Sequence, residues 1–540
     1  MHPSTLAKRV FILLSLAVFV FYLYGLGHLP LVGPDEPRYA QVAREMYVRG
    51  DFVTPTLGGH TWFEKPALLY WLMIAAYKLF GVSEWSARLG PAFCGLLTIG
   101  AIYLVARTAE RNTRDHELNG YGFWSTLIAA STLGIVVFSR AASFDIVITM
   151  TTSWAIAFFL MSEVAAGRWV RLTLAGFYVF VGLSLLAKGL VGIVVPFGIV
   201  GTYYILRGRF PERDKWASIL WGVPLALGVS SLWYGPVIAK HGWTFIQEFF
   251  IEHHFARYIS NKYHHPQPLY FYPVILLLLS VPWTMFLVEA LANVRKWIWR
   301  DDSNITKVRL CCFAWLLWPI LFFSFSGSKL PGYILPVIPA AILLTSERLT
   351  RANFLARFAR WPFRATGVVC LALAIAGVVY THKTGTISLA CALCASVPLA
   401  LAGVLSIVLP NARIASELSV TAATVILVFV VLNCAATVVT HQESTRDLLR
   451  LADARGYSGF PVVARRGDDR SAEFYASGRV IYRPDGEPLA IDEITTAEAR
   501  KYGTTLVVMV SSEHLDHFIQ NYGMELIGQN GKTAIMLWRP

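Results

Sequence analysis

Hydrophobic positions in this chain come in long unbroken runs, with the polar ones in short clusters between them. Runs of membrane-spanning length lie near 10–27, 88–106, 122–139, 144–161, 172–188, 189–207, 216–238, 268–293, 309–326, 331–347, 365–381, 386–409 and 418–440. A further run, PALLYWLMIAAYKLFG at 66–81, would rise only roughly 21–23 Å as a helix, short of the ~30 Å hydrocarbon core. The basic clusters decide how it is counted. With 66–81 flat at the interface, Lys8/Arg9, Arg107/Arg111/Arg114, Arg168/Arg171, Arg207/Arg209/Arg213/Lys215, Arg295/Lys296/Arg300 and Arg348/Arg351/Arg357/Arg360/Arg364 all fall inside; if it crosses, the later ones invert. The pattern therefore predicts a polytopic α-helical membrane protein of about thirteen spans, N-terminus cytoplasmic and C-terminus outside. Lys8 and Arg9 ahead of the first run, without a small-x-small cleavage site, read as the start of an uncleaved first span.

The first outer loop, 28–87, has its own pattern. In GPDEPRYAQ, Asp35 can cap a helix that Pro37 starts and Gly50 ends. Tyr39, Val42, Ala43 and Met46 form one apolar stripe, so this helix too is predicted to lie on the membrane surface. From about residue 441 the pattern becomes that of a soluble α/β domain. PVVAR, RVIYR, TTLVVMVSS and TAIMLWR read as strands, and STRDLLRLADAR and SEHLDHFIQNY as helices. The organisation expected is a membrane domain, 1–440, with outer loops 28–87 and 239–267, followed by a small outer-face α/β domain, 441–540.

Composition sharpens this picture. With 55% hydrophobic and 15% charged residues, the chain is too apolar for a soluble enzyme. Its net charge of +13 is not pooled in one domain, so it writes topology rather than a nucleic-acid surface. The seven cysteines all fall in apolar runs, which predicts packing and no disulfide framework, and Cys391-x-x-Cys394 reads the same way. No ionisable residue sits near the centre of a span and no G-x-x-x-x-G-K-[ST] loop is present, which argues against ion-coupled or ATP-driven transport.

The informative charges are on the outer side: Asp35, Glu36, Arg38, Glu64, Lys65, Arg140, Asp145, Lys188, His253, His254, Arg257 and Lys329. Outer cations oppose the usual charge bias, and phosphate binding gives them a reason to be there. So many carboxylates beside them point to chemistry rather than to lipid headgroups alone.

GPDEPRYAQVAREM, then FEKP, SRAASFD, AKG, H-F-A-R and SGSKLPGYILP, resembles the bacterial lipid A aminoarabinose transferases over essentially the whole chain. Those belong to the GT-C class of polyprenyl-phosphate-dependent glycosyltransferases. The resemblance implies transfer of an aminopentose from undecaprenyl phosphate to a lipid A phosphate at the periplasmic face of the bacterial inner membrane. Carried over residue by residue, Asp35 matches the catalytic carboxylate, with Asp145 a second catalytic carboxylate or only a helix cap. Lys65 matches the lysine on the carrier phosphate, joined by Arg38, Arg257, Lys329, Tyr333, Arg140 and Lys188. Glu64 and His254 match a divalent metal site, suited to zinc. The motif expected there reads Glu-His-x-x-Arg and this chain has His253-His254-Phe-Ala-Arg257, so either histidine could be the ligand. A related transferase moving a hexose to another lipid, glycan or protein predicts nearly the same motifs. A lipid-linked sugar flippase shares the cations but has no use for a catalytic Asp35.

Overall fold

The structure is a computed structural model that describes residues 5–111, 118–256, 267–354, 360–385, 387–464 and 470–540. The chain forms two compact units, one built from 1–24, 64–69 and 91–429, the other from 25–63, 70–90 and 430–540.

The first unit is helical. Among the described residues of the whole chain, nine helices are long and apolar enough to cross a membrane, from Glu84–Arg111 to Arg413–Gln442. The expected count of thirteen is not reached, for two physical reasons. Val191–Arg207 is apolar but short, and the first run forms the helix Thr5–Leu23, apolar over Ile12–Leu23. The runs 122–139 and 268–293 are each broken in the middle, into Tyr121–Ser131 with Leu133–Phe138, and Phe271–Leu279 with Thr284–Ala292. Thr132 adopts an extended conformation at the first break. The freed amide of Leu133 donates to the carbonyl of Val281 in the second break at 2.9 Å, and the Trp283 indole donates to Ser131 at 3.1 Å. The two interruptions thus satisfy each other's polar groups, as a bilayer demands of non-helical backbone.

Carboxylates that the hydropathy pattern left unassigned tie the basic clusters down. Glu163 accepts from the hydroxyls of Tyr203 and Tyr204, both at 2.7 Å, and pairs with Arg207 and Lys215. Glu289 takes Arg348 at 2.7 Å, and Glu347 takes Arg309 and Arg351. All three glutamates are buried. Removing one partner of such a pair typically costs about 3–5 kcal/mol, because the other charge is stranded.

In the second unit, the Glu36–Arg49 helix ends where expected, at Gly50 with φ +65° and its amide bonded to the last turn. Asp35 occupies the N-cap position but makes no side-chain cap bond; its carboxylate turns to Arg38 instead. Tyr39, Val42, Ala43 and Met46 are buried within the protein, so the stripe serves packing and is not a free membrane face. The 66–81 run becomes the 13-residue helix Leu68–Phe80.

The C-terminal segment folds around a four-stranded sheet with spatial order Val462–Val463, Leu506–Ser511, Thr533–Trp538, Glu525–Gln529. The first pair is parallel and the rest antiparallel. RVIYR makes only isolated bridges, at Val480 and Tyr482. The edge strand Glu525–Gln529 was not expected: ELIGQ buries one of its five residues, so it carries no alternation to read. The expected helices appear as Arg446–Ala452 and Leu515–Tyr522, and Ser471–Tyr475 is additional.

Cys94, Cys311, Cys312, Cys370 and Cys394 are free thiols, but Cys391 and Cys434 are disulfide-bonded. Packing alone therefore does not account for all seven. Both oxidised residues stand at the helix ends that the charge pattern places outside.

Candidate active site

Two groupings of charged side chains come together, one in each unit, and Glu64 and Lys65 form a further pair. In the helical unit, the Phe144–Val164 helix begins with Ser143 as its cap, whose hydroxyl accepts from the Asp145 amide at 3.1 Å. That fixes the backbone of Asp145 and leaves its carboxylate to pair with Lys188, the last residue of the Arg168–Lys188 helix. The ammonium of Lys188 also lies 4.8 Å from the ring centre of Tyr333, a cation–π distance. Gly332 supplies the room: a Cβ there would fall 2.0 Å from Asp145 Oδ2. Three elements far apart in sequence thus converge on one ion pair. From the same segment, buried Lys329 donates to the carbonyl of Gln267 at 2.9 Å.

Lys65 and Glu64 form their own ion pair at 2.9 Å, both largely buried. Arg140 lies over the rings of Phe21 and Tyr22, 4.5 Å and 5.6 Å from their centres, and donates to the Phe21 carbonyl. It is held by aromatic faces rather than by a carboxylate.

In the other unit, Arg38 donates to Asp35 Oδ1 at 2.7 Å and to the Pro34 carbonyl, with its guanidinium 5.3 Å from the Trp62 ring centre. The Asp35 side chain stays 53% exposed while Arg38 is 16% exposed, so the carboxylate is anchored yet open to a ligand. The first turn of the Glu36–Arg49 helix adds amides and a dipole that favour an anion beside it.

The metal expectation fares differently. Among the described residues, no group of three or more His, Cys, Asp or Glu is placed to hold a metal ion. Glu64 already carries the Lys65 ammonium, whereas zinc sites take three or four protein ligands. The side chain of His254, and the whole of Arg257, lie outside the described residues. The described residues do not fit a metal centre.

Sequence reasoning missed Arg88, Glu84 and Glu45. Arg88 is 4% exposed and grips Glu36 with two bonds of 2.7 Å. Glu45 accepts from Thr56 at 2.7 Å and from the amide of Gly58 at 2.8 Å, shaping the turn before FEKP. The signal for Arg88 was present: the charge pattern puts it at the outer end of a predicted span, the same anomaly that singled out Arg140 and Lys188. In the C-terminal segment, burial pushes the Tyr475 phenol well above its ordinary range, so it remains a neutral hydroxyl.

Helices of spanning length, two interrupted apolar runs matched to each other, and charged pairs at helix ends define a GT-C-type polytopic membrane fold. The chain belongs to the family described as dolichyl-phosphate-mannose-protein mannosyltransferase, whose model matches residues 10–293, more than half of the 540. Among similar proteins is the undecaprenyl phosphate-alpha-4-amino-4-deoxy-L-arabinose arabinosyl transferase of Erwinia tasmaniensis, 31% identical over 69% of this chain and 66% of that one. A second, from Pseudomonas fluorescens strain Pf-5, is 30% identical over 65% of this chain and 58% of its own. The matched region thus spans about three fifths of the length of these relatives. The crystal structure of ArnT from Cupriavidus metallidurans bound to undecaprenyl phosphate superposes with a TM-score of 0.77 at 23% identity, covering 99% of this chain and 98% of that one. That likeness extends the fold to nearly the full chain.

Proposed function

We propose that this protein is an integral-membrane glycosyltransferase that moves 4-amino-4-deoxy-L-arabinose from undecaprenyl phosphate to a phosphate of lipid A. The names of its relatives support the sugar and carrier. The observation that carries the reading is the Asp35–Arg38 pair, a half-open carboxylate locked beside a guanidinium at a helix start.

In the proposed reaction an oxygen of the acceptor phosphate attacks the anomeric carbon. The bond from that carbon to the carrier phosphate breaks, and the bonding electrons leave with undecaprenyl phosphate. Negative charge gathers on the leaving oxygens, where Lys65, Arg38, Lys329, Tyr333, Arg257, Arg140 and Lys188 are assigned to bind the carrier phosphate. A phosphate acceptor needs no deprotonation, so Asp35 orients the amine of the donor sugar or stabilises positive charge on its ring. Were the acceptor a hydroxyl, the same carboxylate would be the general base. Asp145 holds Lys188 towards the substrate. No step is assigned to a metal at Glu64 and His254.

The orientation proposed puts the N-terminus in the cytoplasm and the C-terminal domain in the periplasm. It is supported by the basic clusters and by the disulfide state of Cys391 and Cys434, since disulfides persist in the periplasm and not in the cytosol. The mannosyltransferase family model favours a second reading, a polyprenyl-phosphate-linked hexose moved to a lipid, glycan or protein. Purified protein supplied with each lipid-linked sugar and with lipid A separates the two. Transfer of the aminopentose alone supports the first reading, and transfer of a hexose supports the second.

A further inference from the structure

Asp35 stands at the end of a stretch, residues 24–35, that has no helix or strand of its own. A turn segment of that length would sample many conformations unless something fixed it. Two side chains do so. The Arg88 guanidinium donates to the carbonyls of Leu26, Leu29 and Pro30 at 2.8, 2.6 and 2.9 Å, and to both oxygens of Glu36. The Tyr475 hydroxyl accepts from the Leu31 amide at 2.7 Å, four residues before Asp35, and donates to Glu84 at 3.2 Å. Glu84 in turn accepts from Arg446 at 3.2 Å.

Tyr475 ends the Ser471–Tyr475 helix of the C-terminal segment. From the same place, the Phe474 carbonyl and the Ser477 hydroxyl accept from Arg44 of the Glu36–Arg49 helix at 3.2 and 3.0 Å. The Tyr482 ring lies where a Cβ on Gly58 would fall, at 2.3 Å. The segment carrying Asp35 is thus fastened by one buried arginine and by the C-terminal segment.

We propose that Arg88 and Tyr475 are positioning residues that set the Asp35 carboxylate, which makes the C-terminal segment a working part of the transfer machinery. The inference rests on the reading that Asp35 serves the reaction. Its physical basis is the sensitivity of catalysis to geometry, where a displacement of about 1 Å can cost about 10²-fold.

The test is Tyr475→Phe in the full-length purified protein, which removes one oxygen and keeps the ring. The expected result is a fall in kcat of about 10-fold, with the KM for donor unchanged and rates normalised to folded protein. Glu84→Gln, which weakens the orientation of the phenol from its other side, is expected to show the same split. A wild-type kcat in both variants overturns the proposal. So does a loss that disappears once rates are normalised to folded protein, since that is a structural role alone. Asp35→Asn is measured alongside: wild-type turnover in that variant removes the reading of Asp35 itself, whatever Tyr475→Phe does.

Discussion

Lys188 and Asp145 sit on different helices, yet their side chains form an ion pair beneath the ring of Tyr333. Each is mostly covered, at 14% and 22% exposed, so neither charge is well solvated without the other. Lys188→Met strands the carboxylate and removes the cation assigned to the leaving phosphate. Turnover is expected to fall by about 10²-fold or more, as when a preorganised charge is removed from a transition state. A steady-state assay on folded protein checks this.

Gly332→Ala is expected to act through the same pair. The new Cβ would fall 2.0 Å from Asp145 Oδ2, so the carboxylate that pairs with Lys188 must shift. Loss of activity is predicted with little change in expression. Adding Asp145→Ala to it should cost nothing further, which a double-mutant cycle measures.

Chelation is expected to leave transfer unchanged, because the Glu64 carboxylate is paired with the Lys65 ammonium. Rates before and after dialysis against a chelator decide it. A loss restored by zinc would return Glu64 and His254 to the mechanism.

Acid should loosen the C-terminal segment. Burial alone would raise the Asp447 carboxyl, but hydrogen bonds from His441 and Arg446 outweigh it and hold it below the usual range. Bonds from the Thr495 amide and hydroxyl hold Glu498 low. A carboxyl depressed in the folded state stabilises it above the unfolded pKa, near ~4, and loses that contribution as pH falls through the folded value. The protection of residues 441–500 of the full chain against hydrogen exchange, corrected for the intrinsic pH dependence of amide exchange, is predicted to fall below about pH 4 and to be flat between about pH 5 and 7.

The order of spans was legible because a bilayer enforces long apolar runs. The two breaks were not: Thr132 and residues 280–283 lie inside long apolar runs, and the extended backbone of Thr132 and the mutual hydrogen bonds reveal them. Side chains that the structure pairs were legible where a charge opposed the predicted topology, as at Lys188. The role of Glu36 was not, because its partner Arg88 lies 52 residues away and nothing local links them. The Asp35 cap failed for a related reason. Its carboxylate had a better partner one turn on, in Arg38, than in the amides of its own helix.

The central claim is most directly tested by mass spectrometry of lipid A from cells that make the undecaprenyl-linked aminopentose but lack their own transferase. They would express either this chain or its Asp35→Ala variant, with both proteins shown to be folded in the membrane. The account predicts an aminopentose-sized mass added by the intact chain and absent with the variant. Lipid A left unmodified by the intact chain would contradict it.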